Sequence, residues 1–330
     1  MQRFADLKTG YDCNNNCVFC VQGEKRKQHA PLACAEIERK LKEGRGRGAE
    51  RLLIAGGEPS IREDFLPTVR AARGLGYSEV HVQTNGRRFC YPDFCRRTID
   101  AGVTHYHAAL QGSGAPLHDY LTGAAGSFLQ TAAGIRGLRR LGQRVLTDTV
   151  ITKANYRDLP DLARLLVRLD VNQAQLSFIH AAGSAAAAKA WLVPRYAMIE
   201  PWVKAAVDVC SRSGKTVTTE GIPYCCLRGY ESYAAELIMP EIVVFDAAGT
   251  IEDLARHRAE NARVLDERCR DCAYAGACAG PWREYPELFG WSEFAAVRRG
   301  WPAAPADQQA AFVCGKNGHM LEPKRSVCHG

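Results

Sequence analysis

Three cysteines fall within eight residues near the start of the chain, in the run Cys13-Asn-Asn-Asn-Cys17-Val-Phe-Cys20. Thiolates are soft donors that suit zinc and iron–sulfur clusters. A closed protein site usually takes four protein ligands. This run supplies three, which leaves one metal position free to bind and activate something else. Its spacing differs from the paired C-x2-4-C elements of structural zinc sites and from the bacterial ferredoxin run C-x2-C-x2-C-x3-C-P. In a chain with 14 cysteines, an accidental or zinc-holding group stays open on spacing alone. A second set lies further on, where Cys225-Cys226 precede Cys269-Arg-Asp-Cys272-Ala-Tyr-Ala-Gly-Ala-Cys278. Four thiolates from separated segments can close an all-cysteine zinc site or an iron–sulfur cluster, and spacing does not choose between them.

The elements that must hold these groups alternate. Residues 3–9 read as a short strand, followed by a helix around Ile37 and Leu41. Arg51–Ala55 is a strand running into Gly56-Gly57-Glu58-Pro59, and residues 65–73 have helical spacing. Residues 79–83 form a strand that ends in Thr84-Asn85-Gly86, and a helix over 93–101 follows. Strands over 104–110, 145–151 and 174–179 are separated by helices over 127–141 and 159–169. This alternation implies parallel strands joined by crossover helices. An open doubly wound sheet fits the same count. However, the chemically interesting residues follow consecutive strands: the cysteine run, GGEP, TNG and Gln111. One face collecting strand ends favours a barrel, whose chemistry sits on the loops at the strand C-termini. In GGEP, two glycines let backbone approach a ligand closely, proline stiffens the turn, and Glu58 offers an acceptor for an ammonium. Alone, GGEP also reads as a strand-to-helix turn and TNG as a β-turn. His105 and His107 alternate on the fourth strand and point into such a barrel, where a satisfied structural histidine is the simpler reading.

The cysteine run followed by a strand and GGEP resembles the radical SAM (S-adenosylmethionine) superfamily. The resemblance implies a partial (β/α)6 barrel. It implies that Cys13, Cys17 and Cys20 hold a [4Fe–4S] cluster whose fourth iron is chelated by the amino and carboxyl groups of SAM. One electron then cleaves SAM to methionine and a 5′-deoxyadenosyl radical. Phe19 matches the family's aromatic near the adenine, and GGEP the motif that hydrogen-bonds the SAM amino group. The SAM-binding set carried over is Phe19, Gly56, Gly57, Glu58, Pro59, Thr84, Asn85, Gln111 and Asn155. The stretch from Leu110 through His118-Asp119 to Gly126-Ser127-Phe128 resembles the "SLDG…HD…G…GSF" segment of the peptide- and cofactor-maturing branch. Ala109 and Gln111 replace its serine and aspartate, so one SAM contact is lost or substituted.

C-x2-C-x5-C resembles the auxiliary-cluster extensions called SPASM and twitch domains. A full SPASM motif adds a cysteine where this chain has Trp282. The resemblance therefore implies a small C-terminal twitch-like domain with one auxiliary [4Fe–4S] cluster on Cys225, Cys269, Cys272 and Cys278, with Cys226 and Cys314 as alternates. The spare member of Cys225/Cys226 would face the substrate. The expected division is a barrel over 1–195, a twitch-like domain over 196–302 and a tail over 303–330. The stretch 181–195 is a helix, linker or lid, and the aromatic run after Gly280 packs over the auxiliary cluster. Cys34, Cys90, Cys95 and Cys210 are packing residues.

Composition sets outer limits. A chain of 330 residues with 46% hydrophobic content supports one large and one smaller domain. No apolar run reaches membrane-spanning or signal-peptide length, so a cytoplasmic protein with reduced cysteines is expected. The net charge of +7 comes without aromatic-interleaved basic repeats; the basic groups read as solvated faces, and nucleic acid is not an expected partner. The function these readings imply is hydrogen abstraction from a substrate carbon. Four auxiliary cysteines argue for electron transfer by that cluster, three for substrate ligation. Expected partners are SAM, a low-potential reductant such as flavodoxin or ferredoxin, and a small-molecule or peptide substrate. Only 12 residues precede Cys13, which favours a small molecule of a natural-product or cofactor pathway, or a peptide presented by another protein. The alternatives are a maturase of a ribosomally made peptide or protein, and a non-catalytic iron–sulfur or zinc module. The last predicts no SAM cleavage, and an intact GGEP argues against it.

Overall fold

The computed structural model describes residues 3–298. Cys314 and the tail 303–330 lie outside the described residues. Nine strands form one sheet: β1 (Arg3–Lys8), β2 (Ala49–Ala55), β3 (Glu79–Thr84), β4 (His105–Ala109), β5 (Arg144–Ile151), β6 (Gln173–Phe178), β7 (Thr216–Glu220), β8 (Glu241–Asp246) and β9 (Gly249–Ile251). Their order is β7-β6-β5-β4-β3-β2-β1-β8-β9. Every neighbouring pair is parallel except β8 with β9. The six expected strands are all present, and the crossover helices include Cys34–Gly46, Phe65–Gly74, Pro92–Ala101, Ser127–Arg140 and Leu159–Arg168.

Three strands lie beyond these six. β8 and β9 pair on the β1 edge, and β7 extends the opposite edge. A strand such as EIVVFD carries only a short local signal, and its partner β1 is more than 200 residues away in sequence. Within the stretch 181–195, Ser184–Leu192 is helical, and a long helix, Tyr196–Arg212, follows it.

Alternation within the strands sorts the sheet's two faces. Ala5, Leu7, Leu52, Ile54, Val80, Val82, Tyr106 and Ala108 are almost inaccessible and belong to the main apolar core. On this face Ala5 lies against Gly44 of the first crossover helix. The intervening positions include Asp6, Arg51, His81, Gln83, His107, Asp148 and Glu220, so the opposite face is polar. Gln83 of β3 hydrogen-bonds Asp148 of β5 across the intervening β4. That reach needs a strongly curved sheet, with the polar face on its concave side.

Candidate cluster and cofactor site

The cysteine loop lies on the end of β2. Gly57 N donates to Gly10 O (2.8 Å), and Glu58 N donates to Asp12 O (2.7 Å). A Cβ at Gly56 would stand 2.1 Å from Gly10 O, and one at Gly57 would stand 2.2 Å from Asp12 O. Gly56 also has φ +125°, a conformation side chains rarely adopt. The close approach these glycines permit is therefore made, in the protein itself, by the cysteine loop. Pro59 opens a single 3-10 turn, Pro59–Ile61.

Glu58 is 2% exposed, and both its oxygens are taken. Oε1 accepts from Ser60 N (3.0 Å) and Thr84 Oγ1 (2.7 Å), and Oε2 accepts from Asn85 N (2.6 Å). Burial pushes its pKa up against these three bonds. The carboxylate thus braces the turn after β3. That turn reaches the cysteines: Asn85 Nδ2 donates to Asn14 Oδ1 (2.6 Å) and lies 3.8 Å from Cys13 Sγ. Arg87 adds a clamp, with Nε on Gln130 Oε1 (2.6 Å), one terminal nitrogen on Asn15 Oδ1 (2.9 Å), and a bond to Asn14 O. The loop's far side is held by Asn16 N on Thr122 O (2.8 Å) and Val18 N on Leu121 O (3.1 Å). Ser184 N donates to Cys20 O (3.0 Å), so the helix Ser184–Leu192 docks on the loop. Phe19 is buried in the apolar core beside it.

Cys13, Cys17 and Cys20 are all half-buried. Burial, then the neighbouring Cys20 and Cys13, push the Cys17 thiol up to about 12. Cys13 Sγ accepts from Asn15 N (3.4 Å). Three crowded sulfurs that repel one another as thiolates, with N–H and amide donors at hand, fit a soft cationic metal group.

Gln111 and Asn155 sit at the ends of β4 and β5 with their side chains spent on backbone. Gln111 Oε1 accepts from Val150 N (2.8 Å), and its Nε2 donates to Asp148 O (3.2 Å). Asn155 Oδ1 accepts from Thr152 N (2.7 Å) and Oγ1 (3.0 Å), and its Nδ2 donates to Gln111 O (3.0 Å) and Val150 O (2.9 Å). Both amides lock two strand ends together. In the HD…GSF stretch, the Asp119 carboxylate accepts from Gly126 N (2.7 Å), Ser127 Oγ (2.8 Å) and Phe128 N (2.8 Å), capping the helix Ser127–Arg140.

The polar face holds a histidine network near the start of the strands. His81 bonds Glu79 Oε2 through Nε2 (2.9 Å) and His107 Nε2 through Nδ1 (3.0 Å), while its ring stacks on His105 at 4.0 Å. Glu79, His81 and His105 offer donor atoms within 4.8 Å of one another. Near-parallel rings cannot both aim lone pairs at one ion, and Arg51 already meets Glu79 at 3.2 Å. Burial lowers all three histidines, His105 to about 3. They form a neutral structural network.

Sequence reasoning missed Asp148 and Glu220. Burial, then the Glu220 charge, push Asp148 up to about 7 against a hydrogen bond from Gln83. Glu220 is ion-paired with Arg258 and accepts from Gln175 and Ser177. The available signal was an aspartate at an inward position of the β-branched strand RVLTDTVI.

A second set of thiols surrounds one cavity of about 370 Å³, lined by Cys225, Cys269, Cys272 and Cys278 with Tyr224 and Tyr274 among its walls. Gly280 N donates to Cys278 Sγ (3.4 Å), Val297 N to Cys272 Sγ (3.4 Å), and the Ala295 amide to Cys225. Hydrogen bonding by Cys226 outweighs burial and, with Ala295, brings the Cys225 thiol down to about 6. Cys226 itself does not line the cavity; it is buried, with its sulfur 3.9 Å from that of Cys225. Trp282 is packed between His180 (4.2 Å, stacked) and Arg263 (3.5 Å), and donates to Phe178 O (3.3 Å). Tyr285, Trp291 and Phe294 continue an aromatic cluster with Tyr196. Cys95 and Cys210 are buried and Cys90 is half-buried. Cys34, expected in packing, is exposed beside Asp64, because it opens its helix on the outer surface.

Residues 7–166 match the family model of the radical SAM superfamily. They are a radical SAM domain. That domain contains the cysteine loop, GGEP, TNG and the capped helix described above. The chain is 28% identical over 198 residues to the PqqA peptide cyclase of Rhodopseudomonas palustris, covering 59% of this chain and 51% of that protein. It is 30% identical over 148 residues to the AdoMet-dependent heme synthase of Methanosarcina barkeri, covering 44% and 42%. The chain thus spans about half the length of the curated relatives it matches. Its fold resembles that of Streptococcus suis SuiB bound to S-adenosylmethionine, with a TM-score of 0.63 at 14% identity over 90% of this chain and 76% of SuiB. SuiB has also been solved with its precursor peptide SuiA. The likeness extends well past the radical SAM domain and concerns fold alone.

Proposed function

We propose that this chain is an enzyme that abstracts hydrogen from a substrate carbon and carries two [4Fe–4S] clusters. Cys13, Cys17 and Cys20 would hold the first, with SAM; Cys225, Cys269, Cys272 and Cys278 would hold the second, auxiliary one. The observation that carries the reading is the common cavity of those four cysteines, three of whose sulfurs receive backbone N–H donors. Backbone donors aimed at sulfur are a feature of sites where the sulfur carries negative charge. On this reading residues 196–302 are a twitch-like unit whose strands β7 and β8 extend the sheet of the radical SAM domain. A flavodoxin or ferredoxin would be the electron donor.

When bound, the first cluster with SAM supplies a carbon radical able to take hydrogen from an unactivated C–H bond. The chain's own residues position and shelter that chemistry. Glu58, Asn85 and Arg87 hold the cysteine loop in one place. Gln111 and Asn155 keep the ends of β4 and β5 together. Asp148, on the concave face with its carboxyl pushed up to about 7, would take up a proton released by an oxidised substrate. Four protein ligands at the second site favour electron transfer over substrate ligation.

The substrate on this reading is a small molecule of a natural-product or cofactor pathway. A peptide substrate is the second reading, favoured by the similarity to PqqA peptide cyclase and by the peptide-bound SuiB. Anaerobic reconstitution tests the core of the proposal. About eight irons per chain and 5′-deoxyadenosine formed from SAM under dithionite are expected. Zinc in place of iron, or no SAM cleavage, would overturn it.

A further inference from the structure

The Cys225-Cys226 pair presents two adjacent thiols, and only one reaches the cavity. Cys226 is 7% exposed and belongs to the main apolar core, so it does not face a substrate. It does face Cys225: the two sulfurs are 3.9 Å apart, within hydrogen-bond reach for sulfur. A ligating Cys225 carries no proton, so the donor in this contact must be the Cys226 S–H. The Cys225 sulfur also accepts the Ala295 amide, so the Cys226 S–H adds to a backbone donor already there.

We propose that Cys226 sets the reduction potential of the auxiliary cluster by donating its S–H to the sulfur of Cys225. This rests on the auxiliary-cluster reading above. The reduced cluster is more negative by one electron, and its sulfurs accept hydrogen bonds more strongly. A donor fixed at a ligand sulfur therefore stabilises the reduced form and raises the potential. Burial strengthens the effect, because no water competes for the sulfur and the local dielectric is low. The 3-10 turn Tyr224–Cys226 fixes the pair's geometry, anchored by Cys226 N on Pro223 O (2.8 Å).

The test uses the full-length chain with Cys13, Cys17 and Cys20 replaced by alanine, so that the auxiliary cluster is the one observed. Iron is counted, and an EPR-monitored redox titration is run on this parent and on its C226A and C226S forms. All three should hold about four irons. C226A should titrate at a more negative midpoint than the parent. C226S, whose hydroxyl keeps a donor, should lie closer to the parent than C226A does. Equal midpoints in all three would overturn the proposal, as would equal shifts in C226A and C226S, since packing alone would then explain them. Loss of iron in C226A would make Cys226 a ligand and also overturn it. A parent without iron would sink the auxiliary-cluster reading itself, an outcome distinct from iron present with unmoved midpoints.

Discussion

Asp148 illustrates how one residue's surroundings set its chemistry. Its half-buried carboxyl loses hydration and faces the Glu220 charge, which together push it up to about 7. A raised carboxyl pKa means the folded protein holds a proton that the unfolded chain has already lost between about pH 4 and pH 7. Stability therefore falls as pH rises through that window, by at most about 4 kcal/mol. The D148N variant removes the titration and should be flatter with pH, gaining on the native protein as pH rises from 4 to 8. Urea unfolding of both proteins at several pH values checks this; parallel curves would refute it. Gly57 makes the complementary case for sterics. G57A would put a Cβ 2.2 Å from Asp12 O, against backbone that cannot yield without moving the cysteine loop. A loss of about 3 kcal/mol is expected, with iron retention at Cys13, Cys17 and Cys20 impaired, read by denaturation and iron analysis.

At the scale of elements, the helix Ser127–Arg140 links the cap to the cysteines. Asp119 closes its N-terminus, and Gln130 on the same helix holds Arg87, which holds Asn14 and Asn15. Burial raises the Asp119 carboxyl, yet bonds from Phe128, Gly126 and Ser127 keep it below its ordinary value. D119A should cost about 1–2 kcal/mol by loss of the cap, and D119N, which keeps an acceptor, much less. Thermal unfolding of the two variants measures the difference. Because the depressed carboxyl loses its acceptor strength only when protonated, the cap's contribution should persist above pH 4 and fade in more acidic solution.

At the scale of the molecule, one curved sheet carries both cysteine groups. The first follows β1, and β8 lies against that same strand, while β7 on the other edge leads into the turn that carries Cys225. The two sites are nonetheless built from separate side chains. Replacing Cys13, Cys17 and Cys20 should remove about half of an expected eight irons, and replacing Cys269 and Cys272 should remove the other half. Iron and sulfide analysis of each variant decides the point; loss of all iron from either would show that the sites do not load independently.

Much of this was legible along the chain. Alternation of strands and helices is a local property, set by side-chain period and turn residues, so six parallel strands could be read from Arg3 to Phe178. Cysteine spacing is covalent, so Cys13, Cys17 and Cys20 must share a loop, as must Cys269, Cys272 and Cys278. GGEP announced a tight turn for the same reason. Tertiary structure alone decided what the polar side chains do. Glu58 is spent on Ser60, Thr84 and Asn85, and Gln111 and Asn155 on strand ends up to 44 residues away. Only packing distinguishes Cys225 in the cavity from Cys226 in the core, raises the Asp148 carboxyl, and seats β8 beside β1. Hydrogen-bond partners, burial and field depend on neighbours distant in sequence, and spacing along a chain carries no record of them.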